Sequence, residues 1–178
     1  MRHVLALCLA LVAPPAVSDM LIEDFAQPSD SEWRFFTDQV MGGVSTGQAG
    51  IVRDDRPALR LTGEVSTENR GGFIQARRDL PGGLPEDATA LRITVRGDGQ
   101  RYFLHLRTTG TRLPWQYYQA GFEAREDWTE LRVPLSAFEP SGRLLRRDLR
   151  PDAVRSVALV AYGRDHEARV ELARIVAE

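Results

Sequence analysis

At 178 residues, 43% hydrophobic and 27% charged, the chain has the composition of a folded soluble domain, long enough to bury a core without metal or disulfide. Its formal net charge of −2 gives no electrostatic basis for holding nucleic acid or an anionic membrane. Apart from three histidines every basic side chain is arginine, and the absence of lysine excludes Schiff-base chemistry and a P-loop, both of which need an amine.

In chain order, the first segment does not belong to the fold. "MRHVLALCLALVAPPAVSD" has a basic start, an apolar run from Val4 to Val12, and Ala16 and Ser18 three and one residues before a cleavage point at Asp19. That pattern predicts a secretory signal peptide over residues 1–18 and a periplasmic or secreted protein, since the apolar run is too short to span a membrane. Cys8, the only cysteine, leaves with this segment, and Leu7 stands before it where lipidation requires a small residue. Disulfides, thiol catalysis and cysteine-ligated metals are thereby excluded. Arg2 is the segment's only charged residue, so processing moves the net charge to −3.

From residue 19 to 178 the dominant period is two, which predicts strands. "ALRITVRG" alternates Leu91, Ile93 and Val95 with Arg92, Thr94 and Arg96; "RYFLHLRT" alternates Tyr102, Leu104 and Leu106 with Phe103, His105 and Arg107. Similar runs at 58–62, 72–78, 116–122, 128–133, 156–162 and 168–176 are separated by Gly, Pro and Asp clusters. Only "PLSAF" and "RPDAVRS" offer a single helical turn each. Strands at this spacing, without intervening helices, predict one antiparallel all-β sandwich or barrel.

The residues opposite the core stripes carry the candidate chemistry. Phe103, His105 and Arg107 share a face, to which neighbouring strands are expected to add Arg92, Thr94, Arg96, Gln75 and Arg77, and "PWQYY" adds Trp115, Tyr117 and Tyr118. Arginines among aromatics stack on sugar rings or grip carboxylates. Gly43-Val44-Ser45-Thr46-Gly47 has the spacing of a serine-hydrolase elbow, but no helix follows the serine. An acid pair such as Glu64 and Glu68 with His105 is the remaining hydrolytic arrangement, and no spacing supports it. The sequence therefore predicts a protein without catalysis of its own.

Two double-glycine motifs, "VMGGVSTG" at 40–47 and "RGGF" at 70–73, stand out because apolar residues flank them. One expectation is tight corners, with Val40, Met41, Val44 and Phe73 tucked beneath and Asp38 and Asn69 bonding nearby backbone N–H groups. The other is that N–H groups of Gly42, Gly43, Gly71 and Gly72 bind a ligand oxygen or a partner strand, helped by Arg77.

Taken together, Asp38, Val40 to Ser45, Gly63, Asn69, Gly71 to Phe73, Arg77, Gly97 to Gly99 and Tyr102 give the chain a pattern that resembles the complex I intermediate-associated protein 30 family. The resemblance implies a jelly-roll β-sandwich similar to galactose-binding and other carbohydrate-binding modules. It also implies a binding or assembly role with a protein or membrane-associated complex, or, as the alternative, glycan binding. The named mitochondrial member works on the matrix side, topologically the bacterial cytoplasm, whereas the signal peptide directs this chain outward. No cofactor is required; the one metal arrangement on offer is oxygen-ligated calcium from Glu23 and Asp24 with Glu171, as structural calcium sites occur in similar jelly rolls.

Overall fold

The computed structural model describes residues 19–27 and 33–178; the predicted signal segment lies outside them. Twelve strands follow in order: β1 (Met20–Glu23), β2 (Arg34–Thr37), β3 (Thr46–Arg53), β4 (Pro57–Val65), β5 (Phe73–Asp79), β6 (Ala90–Gly97), β7 (Arg101–Thr108), β8 (Tyr118–Glu123), β9 (Thr129–Pro134), β10 (Glu139–Pro140), β11 (Val154–Tyr162) and β12 (His166–Ala177). They form two antiparallel sheets. The first has the order β3-β4-β12-β6-β9, and the second β10-β8-β7-β11-β5-β2. The twelve-residue β12 is flanked by β6 on one side; on the other, β4 pairs with its first half and β1 with its last residues.

The period-two runs form strands because alternate residues have a core to face. Leu59, Leu61, Ile93, Val95, Leu172 and Ile175 from the first sheet meet Ile74, Tyr102, Leu104, Leu106, Val157 and Leu159 from the second, all fully buried. At roughly 1.5–3 kcal/mol for each such side chain, this contact holds the two sheets together. The two expected helical turns are 3-10 turns at Leu135–Ala137 and Pro151–Ala153. Three short strands went unpredicted: β1 and β2 have four residues each and β10 two, too few to display a period.

Tyr102 also anchors the motif Gly97-Asp98-Gly99. Its hydroxyl donates to Asp98 at 2.9 Å and accepts from the Arg169 backbone N–H at 2.8 Å, tying β7 to β12 across the sandwich. Burial pushes the phenol's pKa up, so it remains a neutral donor.

Candidate functional site

The double-glycine segments converge on one side chain. Asp38 begins the 3-10 turn Asp38–Met41, is fully buried, and accepts from Ser45 N at 2.9 Å, Ser45 Oγ at 2.5 Å, Gly72 N at 2.5 Å and Phe73 N at 3.3 Å. Burial would raise its pKa, but the donors, Gly72 first, hold it below the usual carboxylate value. The glycine pairs divide the work. Gly42 and Gly72 adopt positive φ of 91° and 119°, and a Cβ on Gly43 or Gly71 would lie 2.3 Å from Asp38 atoms. The N–H groups of Gly42, Gly43 and Gly71 donate to Gln39 O, Asp38 O and Glu68 O, so those a ligand oxygen would need are engaged inside the corner. Because β2 leads into Asp38 from the second sheet and β3 leaves Ser45 into the first, this carboxylate joins the two sheets.

Asn69 contributes differently from expectation: it stands exposed at φ 55°, a left-handed position asparagine tolerates. The flanking apolar residues are not tucked away either. Val40, Met41 and Val44 are 75%, 58% and 41% exposed, since the space beneath the corner is filled by Asp38 and its donors.

The outer face of the second sheet is the other distinctive region. Strand register places Arg34, Arg77, Ala158, His105 and Gln119 in one row across β2, β5, β11, β7 and β8. The next row holds Phe36, Gln75, Val160, Phe103 and Gly121. The central β11 supplies small residues here, and larger neighbours close over them, so Ala158 and Val160 are buried on a face without a covering layer of strands. Tyr117 lies flat on His105, ring centroids 4.0 Å apart and 7° from parallel, while Tyr162 meets His105, Tyr117 and Phe103 edge-on at 5.8–6.3 Å. Burial pushes the His105 pKa down to about 3; Gln119 opposes the shift from across the strand pair without reaching hydrogen-bond geometry. His105 is thus a neutral member of an aromatic layer.

Toward one end this layer gives way to cations. A pocket of about 250 Å³ opens between Arg77, Asp79, Arg107, Thr108, Arg155 and Ser156. A larger neighbour, about 350 Å³, lies below the 144–153 loop, where Arg150 is neutralised by Asp152 at 2.5 Å. The smaller pocket has the stronger unmet chemistry.

Comparison with known proteins follows the same lines. The sequence of the family described as complex I intermediate-associated protein 30 matches residues 23–173. The chain belongs to that family. No curated protein matches it. Among solved structures it is similar to the family 11 carbohydrate-binding module of the cellulosomal cellulase Lic26A-Cel5E of Clostridium thermocellum, with TM-score 0.73, 14% identity, and 92% of this chain covering 95% of that one. The same Clostridium thermocellum module in complex with a β-1,3-1,4-mixed-linked tetrasaccharide gives TM-score 0.72 at 14% identity, covering 92% of this chain and 96% of that one. A family 30 carbohydrate-binding module gives 0.59 at 14% identity, covering 91% and 99%. These likenesses establish the jelly-roll fold.

In this complex I intermediate-associated protein 30 family member, the sequence-predicted site residues divide among several places. Asp38, Gly42, Gly43, Gly71 and Gly72 build the corner, whereas Arg77, Phe103, His105 and Arg107 share the outer face of the second sheet. Arg92, Thr94 and Arg96 do not join them: β6 belongs to the first sheet and points them to the opposite side of the molecule. Tyr118 faces the core, 3% exposed, with its hydroxyl donating to Arg146 O at 2.9 Å. Trp115 stands 61% exposed in the preceding loop, away from any ring stack. The ring on the face is Tyr117. Of the three rings expected from "PWQYY" it is the one that joins the face, as alternation with the inward Tyr118, Ala120 and Phe122 requires. Tyr162 and Phe36 went unnoticed, because β11 is apolar on both faces and β2 too short to show parity.

Ser45, central to the hydrolase-like motif, is buried and bound to Asp38 and Ser66, with no histidine beside it. Glu64 lies on β4 of the first sheet and Glu68 on an exposed 3-10 turn, so neither meets His105. The carboxylates considered for calcium are each occupied elsewhere. Glu23 accepts from Arg78, Trp33 and the Phe25 N–H, Asp24 from the Ala26 N–H, and Glu171 from Arg60 and Arg96, both at 2.6 Å. No group of three or more metal-ligating side chains occurs among the described residues.

Proposed function

We propose that this protein is an exported, non-catalytic binding module that serves as an assembly factor or chaperone for a membrane-associated complex. It engages a protein partner through the outer face of the second sheet. One observation carries this reading: the half-buried rings of Phe103, Tyr117 and Tyr162 adjoin arginines that have no carboxylate partner among the described residues. Apolar rings ringed by unneutralised guanidiniums are the composition of a contact surface, where Tyr and Arg are enriched. The family's description, which ties its namesake to a complex I intermediate, supports a protein as the partner. The signal-like start, residues 1–18, supports a periplasmic site of action for the remaining 19–178 domain. Among the described residues no helix is long and apolar enough to cross a membrane.

Site-specific photo-crosslinking in cells tests the assignment, with the probe at Phe103 or Tyr162 and, as control, at Arg174 on the first sheet. Adducts to one membrane-complex subunit from the first two positions, with none from Arg174, are the expected result. Adducts from Arg174 alone would sink it.

A second reading, glycan binding, is favoured by the two stacked rings His105 and Tyr117 on a sheet face and by the likeness to carbohydrate-binding modules. It predicts binding on a glycan array that Tyr117→Ala abolishes.

A further inference from the structure

The cationic pocket at the end of the second sheet has a charge imbalance that nothing among the described residues resolves. Arg77, Arg107 and Arg155 all line it, and its only carboxylate, Asp79, already accepts from Arg34 at 2.5 Å. Arg107 donates to the carbonyls of Leu113 and Pro114, and Arg155 to those of Asp152 and Val154, which fixes their side chains but leaves their charge intact. Arg77 is the most exposed to this imbalance. Its Nε is buried without a partner among the described residues, and its guanidinium lies 4.7 Å from the Phe36 ring centroid, a contact that orients the cation without neutralising it. Burial, then the charges of Arg107 and Arg34, push its pKa below the ordinary arginine value. The buried Ser156, between Arg107 and Asp79 in the strand register, lines the same pocket.

We propose that this pocket binds a carboxylate from an acidic, extended segment of the protein partner, with Arg77 and Arg107 as the principal contacts. The assignment rests on the outer face of the second sheet being the binding surface. A guanidinium fork donates two parallel hydrogen bonds to a carboxylate, and an anion entering here removes the repulsion among three cations. The geometry of β11 sets the rest of the ligand. Ser156 stands at the cationic end and Tyr162 at the aromatic end, six residues or about 20 Å apart, the span of about six residues of extended chain. Phe73 lies opposite Tyr162, and the exposed Val40 and Met41 follow Asp38, which holds the residue just before Phe73. The ligand is therefore acidic at one end and apolar at the other.

Titration calorimetry on the full chain, with hexaglutamate, tri-galacturonate and inorganic phosphate as separate probes at low ionic strength, tests the pocket. Hexaglutamate is expected to bind, and Arg77→Gln with Arg107→Gln to weaken it about tenfold or more, while Arg132→Gln on the first sheet changes nothing. Ser156→Asp supplies the carboxylate from within. It should abolish hexaglutamate binding and raise Tm by about 2 °C or more, a gain that a misfolded variant cannot show. Equal hexaglutamate affinity in wild type and the arginine variants would overturn the proposal, as would arginine-dependent binding of tri-galacturonate or phosphate without hexaglutamate. The crosslinking result separates this from the wider reading. A subunit captured through Tyr162 equally in wild type and arginine variants overturns the pocket alone. Arginine-dependent hexaglutamate binding with no captured subunit supports the pocket and overturns the assembly role.

Discussion

The two outer faces of the sandwich both carry arginines, and they use them in opposite ways. On the first sheet Arg60 and Arg96 grip opposite oxygens of Glu171 and reach on to Asp54 and Asp55, while Arg92 and Arg132 share Glu178. Trp128 covers the group, its indole donating to Asp55 at 2.6 Å with the Arg96 guanidinium 4.6 Å from its ring centroid. On the outer face of the second sheet, among the described residues, only Arg34 has such a partner; Arg77, Arg101, Arg107 and Arg155 find rings or carbonyls. A face that neutralises itself is a structural surface. One that leaves cations among half-buried rings has kept its electrostatic potential for something outside the chain.

Breaking the comparison at its root means removing the joint between the sheets. Asp38→Ala leaves the N–H groups of Ser45, Gly72 and Phe73 around a buried void without this acceptor, while Ser45 Oγ keeps Ser66 O, and at about 1 kcal/mol or more for each of the three a loss of at least ~3 kcal/mol is expected in urea unfolding. Both faces should lose native order together, seen as simultaneous loss of protection in hydrogen exchange. Retention of one face's protection would show the sheets to be less dependent on this corner than its geometry indicates.

The next largest effect belongs to the self-neutralised face. Glu171→Gln removes the charge that two guanidiniums share at a site only 2% exposed, and about 3 kcal/mol of stability should go with it. Asp54 and Asp55 continue to hold Arg60 and Arg96, which keeps the loss at the lower end for a buried pair. A change below ~1 kcal/mol would mean that the network behaves as an ordinary solvated surface.

Most of this fold is visible in the sequence, because a sandwich core imposes period two on most long strands: β4 to β9 and β12 each show it. The order of strands across the sheets is not visible. Of the face-mates expected for Phe103, Gln75 and Arg77 on β5 were therefore right, whereas Arg92, Thr94 and Arg96 on β6 were wrong, because the alternation of β6 is as clear as that of β5 but its sheet is the other one. The corner was partly legible, since glycine pairs announce turns; that one aspartate 34 residues from Gly72 fills both is tertiary information. Tyr162 was hidden by a strand apolar on both faces, where alternation carries no signal.

The smallest effect distinguishes the faces by their response to acid. With its folded pKa pushed down to about 3, His105 stays neutral while the unfolded chain's histidine takes up a proton as pH falls below 6.5. The unfolded state then binds more protons, so stability falls with pH throughout that window, by about 2 kcal/mol between pH 7 and 5. His166 is shifted in the same direction, and it remains in a His105→Phe variant, so its contribution cancels between the two proteins. Asp38 enters only lower down: its depressed pKa makes its stabilisation disappear below the ordinary carboxylate value of 3.8. Urea midpoints at pH 7, 6 and 5 should therefore decline in both proteins, more steeply in wild type than in His105→Phe, where His166 alone remains. Parallel declines would mean that His105 is hydrated in solution and that the aromatic layer over β7 opens readily. A shallower decline in His105→Phe would mean the opposite: the rings are packed before any partner arrives, and binding adds a ligand to a surface that is already formed.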